Sequence, residues 1–264
     1  MPNHVTNILV VSGDADQKQA MFEAIKSDEH GLGSIDFNKV IPIPESLKVE
    51  CGSRTDRAMK LYREFFAESA SLALTNVANP DVAAKAGTTH DTRIAELVKK
   101  YEALTKDDPG LLKLGEQCYE NIQNYGCSTW YDWSIANWGT KWNSYGYGYS
   151  GLAIKDFDGS TINFQTAWSY PDPIIAALAE RYPDLHFEVK WADEDFGFNV
   201  GHKEFEDGGE IFCHKPEGGS KEALELAAEV RGIDLADEGY LYNKTTGQYE
   251  YHDPEEAPMS MQLQ

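Results

Sequence analysis

Residues 161–191 read TINFQTAWSYPDPIIAALAERYPDLHFEVKW, and this stretch decides the fold. Ile162, Phe164, Thr166 and Trp168 alternate with Thr161, Asn163 and Gln165. Leu185, Phe187, Val189 and Trp191 alternate with His186, Glu188 and Lys190. A period of two predicts two strands, each with one inward and one polar face. Between them Ile174, Ile175, Leu178 and Tyr182 recur at helical spacing. Pro171 or Pro173 suits the first helical turn, and Pro183 ends the helix. The whole is a β-α-β unit of the length that a crossover requires.

Working outward, Val5–Ser12 is rich in β-branched residues and reads as a strand ending at Gly13-Asp14. Asp14 can cap a helix reaching Lys26, with Met21, Phe22 and Ile25 inward. A second strand is expected over Ser34–Ile41, stopped by Pro42 and Pro44, which cannot donate to a ladder. Two such units predict an α+β, ferredoxin-like antiparallel sheet with both helices on one face. Phe196–Phe205 and Glu210–His214 flank Asp207-Gly208-Gly209 as a hairpin. An amphipathic helix follows over Lys221–Arg231, then a last hairpin of Tyr240–Tyr242 and Tyr249–Tyr251.

Thr55–Tyr125 lacks period-two alternation. Its three helical stripes predict a helical insertion, broken near Asn79-Pro80 and Asp108-Pro109. Gly126–Gly151 mixes glycines with aromatics, has no period, and is expected to be irregular and packed on the sheet. The expected organisation is a discontinuous core (1–54 and 126–217), an insertion (55–125), a C-terminal helix and hairpin (218–253) and a loose tail (254–264).

The formal net charge is −21. From Asp184 onward there are 20 Asp+Glu against 6 Lys+Arg, a balance of −14. Phosphate backbones need cationic partners, so direct nucleic-acid binding and anionic membranes are disfavoured. A basic or nucleic-acid-binding protein fits as a partner, and solubility alone is the plainer account of the charge. No signal peptide or membrane-length apolar run is seen, which points to the cytoplasm. Cys51, Cys118, Cys127 and Cys213 are too far apart for a thiolate cluster. They read as reduced thiols, and no cofactor is expected.

Three groups are candidate sites. Trp130, Asp132, Trp133, Asn137 and Trp138, with Tyr145, Tyr147 and Tyr149 beyond, either form a lid over the sheet or line a groove. Asp193-Glu194-Asp195 follows a strand end and either takes a cation or a basic partner, or is a solvated loop. His202 and His214 face each other if the hairpin turns at Gly208, and Glu204 could add an oxygen for a metal. No phosphate loop, G-x-S-x-G or H-E-x-x-H occurs, so no catalytic residue is assigned.

Four stretches carry a family likeness: PNHVTNILVVSG at the start, IDFNKVIPIPESL at 35–47, YGCSTWYDWSIANWGTKWN at 125–143 and INFQTAWSYPDPIIAALAERYPDLHFEVKWADEDFG at 162–197. Together they resemble the YubB-type ferredoxin-like domain family of phage- and plasmid-borne bacterial proteins. The resemblance implies the fold and a mobile-element setting, and brings no activity or catalytic residues. With the charge, it leads to the expectation of a non-enzymatic acidic binding or regulatory protein, with counter-defence or nucleic-acid mimicry as its role. The alternative is an enzyme or small-ligand binder using residues 130–149.

Overall fold

The computed structural model describes residues 3–78, 90–147 and 157–252. The chain divides into two compact units, Met1–Pro42 with Ser134–Gln264, and Ile43–Trp133. The break at Asn79-Pro80, Tyr149 and the tail 254–264 lie outside the described residues.

The first unit holds a five-stranded sheet in the order β2-β1-β3-β4-β5. Its strands are β1 (His4–Ser12), β2 (Thr161–Ala167), β3 (His186–Asp193), β4 (Gly201–Glu206) and β5 (Gly209–His214). Every pairing is antiparallel. Since β1 pairs antiparallel with both β2 and β3, those two strands run parallel, and the helix joining them crosses over β1. This is the β-α-β unit that the alternation of residues 161–191 predicts. Val5, Leu9, Ile162, Phe164, Phe187 and Val189 are buried on one face. The helices α1 (Ala15–Ile25), α2 (Phe37–Val40) and α7 (Asp172–Arg181) bring Met21, Phe22, Ile25, Phe37, Ile174, Ile175 and Leu178 into the core. Asp14 caps α1, accepting from the Asp16 and Gln17 amides. The other face of the sheet is partly covered by α8 (Lys221–Arg231), whose Ala223, Ala227 and Val230 cluster with Ala192 and Val200 beside Ile8. A separate hairpin, β6 (Tyr240–Asn243) with β7 (Gln248–Tyr251), follows.

Ser34–Ile41 is not a strand. It holds the short helix α2, because Asp36 accepts from the Asn38 amide and so caps a turn that buries Phe37 and Val40 three residues apart. The segment's backbone groups are satisfied from outside the sheet. Tyr147 Oη accepts from Ile35 N at 2.9 Å, and Asn143 Oδ1 accepts from Phe37 N at 2.8 Å. Asn143 Nδ2 donates to Asp36 Oδ1 at 2.7 Å, and Ser144 Oγ donates to Ile35 O. Trp138 Nε1 donates to Ile41 O at 2.8 Å, and the Arg181 guanidinium donates to Lys39 O and Val40 O.

Two further expectations change. Trp130–Trp138 is a helix, α6, which Gly139 closes at φ 75°, so the aromatic stretch is not wholly irregular. Phe196–Val200 is a loop, so β4 begins only at Gly201. A Cβ at Gly201 would come within 2.2 Å of the Trp191 ring, which lies flat over that position.

In the second unit α3 (Ser53–Ala78), α4 (His90–Leu104) and α5 (Leu111–Tyr125) carry the three predicted helical stripes. Gly115 of α5 sets the approach to α3, since a Cβ there would sit 2.2 Å from Ala58 O and 2.6 Å from Tyr62 Cβ. Arg54 binds Asp108 at 3.0 Å, and Lys100 binds Glu68 at 2.7 Å.

Two predictions follow from this packing. Asp36→Ala and Asn143→Ala should each cost about 1–3 kcal/mol, and the double variant clearly less than their sum, because each change leaves the other's partner groups unpaired. Denaturant titration of the three variants checks this, and strict additivity would deny the clamp. Gly115→Ala should destabilise by about 1–3 kcal/mol, because backbone rather than a flexible side chain must give way. An unchanged melting temperature would show that the helices do not pack this tightly.

Candidate functional site

The aromatic candidates are mostly spent on structure. Trp133 and Trp138 are buried, and the indole N–H of Trp138 is committed to Ile41 O. Trp138 also meets Phe37 edge-on, with centroids 5.6 Å apart. Trp130 and Asn137 are half-buried, and only Asp132 of the five stands exposed. Tyr145 exchanges both backbone bonds with Gln165, at 2.8 and 3.0 Å, and so closes the outer edge of β2. Burial pushes Tyr147 up to about 12, in keeping with its place under the α2 segment.

The acidic triplet divides. Asp193 is only 4% exposed. It accepts from Asn3 Nδ2 at 3.0 Å, Asn199 Nδ2 at 2.8 Å and Asp195 N at 3.0 Å. Its carboxylate ties the N-terminal segment to the loop after β3, so it is unavailable to a partner. Glu194 and Asp195 are exposed. They join Asp184, Glu206, Asp207, Glu217 and Glu222 as exposed carboxylates that make no ion pair with a described residue.

His202 and His214 sit directly opposite in the β4–β5 register, though not through the turn alone: the ladder at the turn would set His202 against Cys213, and the extra residue at Ile211 brings His214 into place. Their surroundings are carboxylates. His202 Nε2 lies 3.1 Å from Glu188 Oε1 and 3.5 Å from Glu204 Oε1, without good hydrogen-bond alignment. His186 Nε2 lies 3.1 Å from Glu204 Oε2. The Phe212 ring stands edge-on to His202 at 5.0 Å. Among the described residues no group of three His, Cys, Asp or Glu is arranged to hold a metal ion.

A different cluster was missed. The side chain of Lys203 is only 7% exposed and is clamped between Asp172 Oδ1 at 2.8 Å and Glu210 Oε2 at 2.6 Å. Burial works against its charge, but the bonds to the two carboxylates prevail and raise its pKa. Beside it Tyr170 is 6% exposed and stacks on Trp191, with centroids 4.3 Å apart and planes at 10°. The Tyr170 hydroxyl has no hydrogen-bond partner, and the nearby Asp172 is out of bonding geometry. Burial, then Asp172 and Glu210, push its pKa well above the ordinary tyrosine value. Of these, Tyr170, Asp172 and Trp191 border a cavity of about 270 Å³ together with Ser169, Asn199, Val200, Lys215 and Pro216. Two loops meet beside it at residues of positive φ, Trp168 at 73° after β2 and Asn199 at 45° before β4, the first of them a rare state for a bulky side chain. Asn199 donates to Trp168 O, and the buried Asn7 donates to Thr166 Oγ1 at 2.9 Å, which in turn donates to Ser169 O. Lys203 stands on the inward-facing register of β4, and a lysine there was the signal in the sequence. A buried lysine needs carboxylates, and these come from α7 and β5.

Removing both Asp172 and Glu210 as alanines should cost about 3 kcal/mol or more, because it strands a buried ammonium. Adding Lys203→Met to that background should recover most of the loss. Tyr170→Phe should leave stability unchanged or raise it, since the hydroxyl forms no bond. Thermal and denaturant unfolding of these variants checks both, and a clear loss for Tyr170→Phe would contradict the unpartnered hydroxyl.

Comparisons with known proteins bear on the first unit. No curated protein matches the chain. Among solved structures, the crystal structure of protein api92 from Yersinia pseudotuberculosis aligns over 83% of this chain and 99% of that one. The identity is 11% and the TM-score 0.35. The family model described as "Ferredoxin-like domain in Api92-like protein" matches residues 137–234, which include Tyr170, Asp172, Trp191 and Lys203. The fold is therefore α+β and ferredoxin-like, and its residues 137–234 are similar to the ferredoxin-like domain of Api92-like proteins.

Proposed function

We propose that this chain is a non-enzymatic acidic binding protein of a bacterial mobile element, of the YubB type, whose partner is a basic or nucleic-acid-binding protein. The observation that carries the reading is the set of exposed carboxylates after Asp184 that pair with no described residue: Glu194 and Asp195 after β3, Glu206 and Asp207 at the hairpin, and Glu217 and Glu222 entering α8. Such charges attract a cationic protein at long range and repel nucleic acid. A surface of this sign suits the occupation of a nucleic-acid-binding groove in place of its ligand, which is the chemistry that counter-defence by mimicry would need.

A second reading, a small-ligand binder or enzyme, was attached to Trp130–Tyr149. The burial of Trp133 and Trp138 moves its support to the cavity at Tyr170, whose unpartnered hydroxyl could donate to a ligand acceptor.

Affinity capture from a bacterial lysate at low and high salt separates the two readings. The expected result is a cationic protein, held at low salt and released as screening shortens the reach of exposed charges to about 8 Å at physiological ionic strength. With the captured protein purified, Glu194→Gln with Asp195→Asn should slow association more than it speeds dissociation. Asp193 is kept, since replacing it would disturb the loop. A partner held equally at all salt concentrations would overturn the electrostatic reading, and a co-purifying small molecule lost with Tyr170→Phe would favour the second.

A further inference from the structure

We propose that the open edge of β5 takes an extended, positively charged segment of a partner protein as an added strand, an inference that rests on the acidic-binding reading above. The sheet has two edges, and they are treated differently. At β2 the Tyr145 backbone pairs with Gln165, while Thr140 Oγ1 donates to Ala167 O at 2.7 Å and accepts from Ala167 N at 3.1 Å. At β5 all six residues, Gly209–His214, are exposed. Among the described residues no backbone group bonds to the outward side of β5. Ile211 is 55% and Phe212 43% exposed, an apolar pair on a strand whose peptide groups seek partners.

The ladder also sets how much can be added. Glu210 pairs with Phe205 and Phe212 with Glu204, so Ile211 is the extra residue of a bulge. The regular run is Phe212–His214; Lys215 follows outside the strand, and Pro216, which has no amide proton, comes next. A guest of four or five residues fits, with peptide bonds supplying affinity and alternate side chains reading the two faces.

Charge selects the occupant. On the face shared by Cys213 and Lys203 lie Glu210 and Asp172, each with one oxygen on Lys203 and the rest open to solvent. On the face shared by Phe212 and His202 lie the half-buried Glu204 and Glu188. The turn adds Glu206 and Asp207. Long cationic side chains on an added strand would find Glu210 on one face and Glu206 and Asp207 at the turn, within the wider negative field of Glu204 and Glu188. A second copy would bring −21 against −21.

The test uses the full chain and a labelled peptide of alternating lysine and valine, read by fluorescence anisotropy and by backbone hydrogen exchange. The expected result is salt-sensitive binding with protection gained over residues 209–215. Binding should weaken at least tenfold when alternate peptide nitrogens on the pairing side are methylated. It should weaken likewise with Phe212→Lys, a change at an exposed position whose melting curve should stay that of the parent. Protection elsewhere, or binding indifferent to both changes, would overturn strand addition and leave the acidic-surface reading standing. Equal binding of a glutamate–valine peptide would overturn the charge selection. Sedimentation showing a dimer that Phe212→Lys dissolves would assign the edge to a second copy and overturn the proposal. Failure of the lysine peptide to bind at low salt would overturn it too, while the lysate capture tests the acidic-surface reading on its own.

Discussion

The fold turns on one constraint: residues 35–41 enter the buried face of the sheet without joining a ladder. A buried amide or carbonyl without a partner costs about 1–3 kcal/mol, so each must be met by a side chain or by distant backbone. Asp36 N finds Ile25 O at 2.7 Å, Ile35 N finds Tyr147 and Phe37 N finds Asn143. The carbonyls of Lys39, Val40 and Ile41 are met by Arg181 and Trp138. These donors and acceptors come from α1, from the end of α6 and the stretch after it, and from the end of α7. Satisfying one short segment therefore fixes the first helix, the aromatic stretch and the crossover helix around the same core.

The same accounting explains what the four distinctive sequence stretches encode. Asn3 holds Asp193, His4 pairs with the Tyr145 hydroxyl at 2.7 Å, and Asn7 holds Thr166. Asp36 and Asn143 hold each other. The polar residues of these motifs are partners of one another inside the first unit. A motif built this way identifies a fold without naming a chemistry, and the likeness over residues 137–234 brings a fold alone.

Period-two alternation made β2 and β3 legible because each keeps one face inward along its length. Residues 34–41 also read as a strand, since Ile35 and Phe37 alternate. Eight residues cannot separate a period of two from one of three, and the deciding contact, Asn143 to Asp36, spans 107 positions. The helix α6 escaped notice because its nine residues are too few to show a period among the glycines and aromatics that surround it, although Trp130, Trp133 and Trp138 share one face. The His202–His214 pairing was reached by counting from Gly208, yet it holds only because a bulge at Ile211 shifts the register by one residue. Glu204, two residues along the same strand, was within reach of the sequence, but that Glu188 would engage His202 depends on β3, which no local pattern reveals. The Lys203 clamp was hidden for the same reason: Asp172, Lys203 and Glu210 are neighbours only after α7 and the hairpin fold over.

Charge and edge exposure belong together in this molecule. An open strand with two exposed apolar side chains is a template for pairing with copies of itself. Burying that edge under another element would remove the hazard, as Tyr145 does at β2. Among the described residues the β5 edge is instead left open within a strongly acidic surface, and it is shortened by a bulge and a proline. Like charge deters self-pairing at a distance, where recognition begins, while leaving the peptide groups available at contact. It cannot deter a partner of opposite sign. An edge shortened but left uncovered, and guarded by charge, is therefore selective by charge, a property that full coverage of the strand would not give.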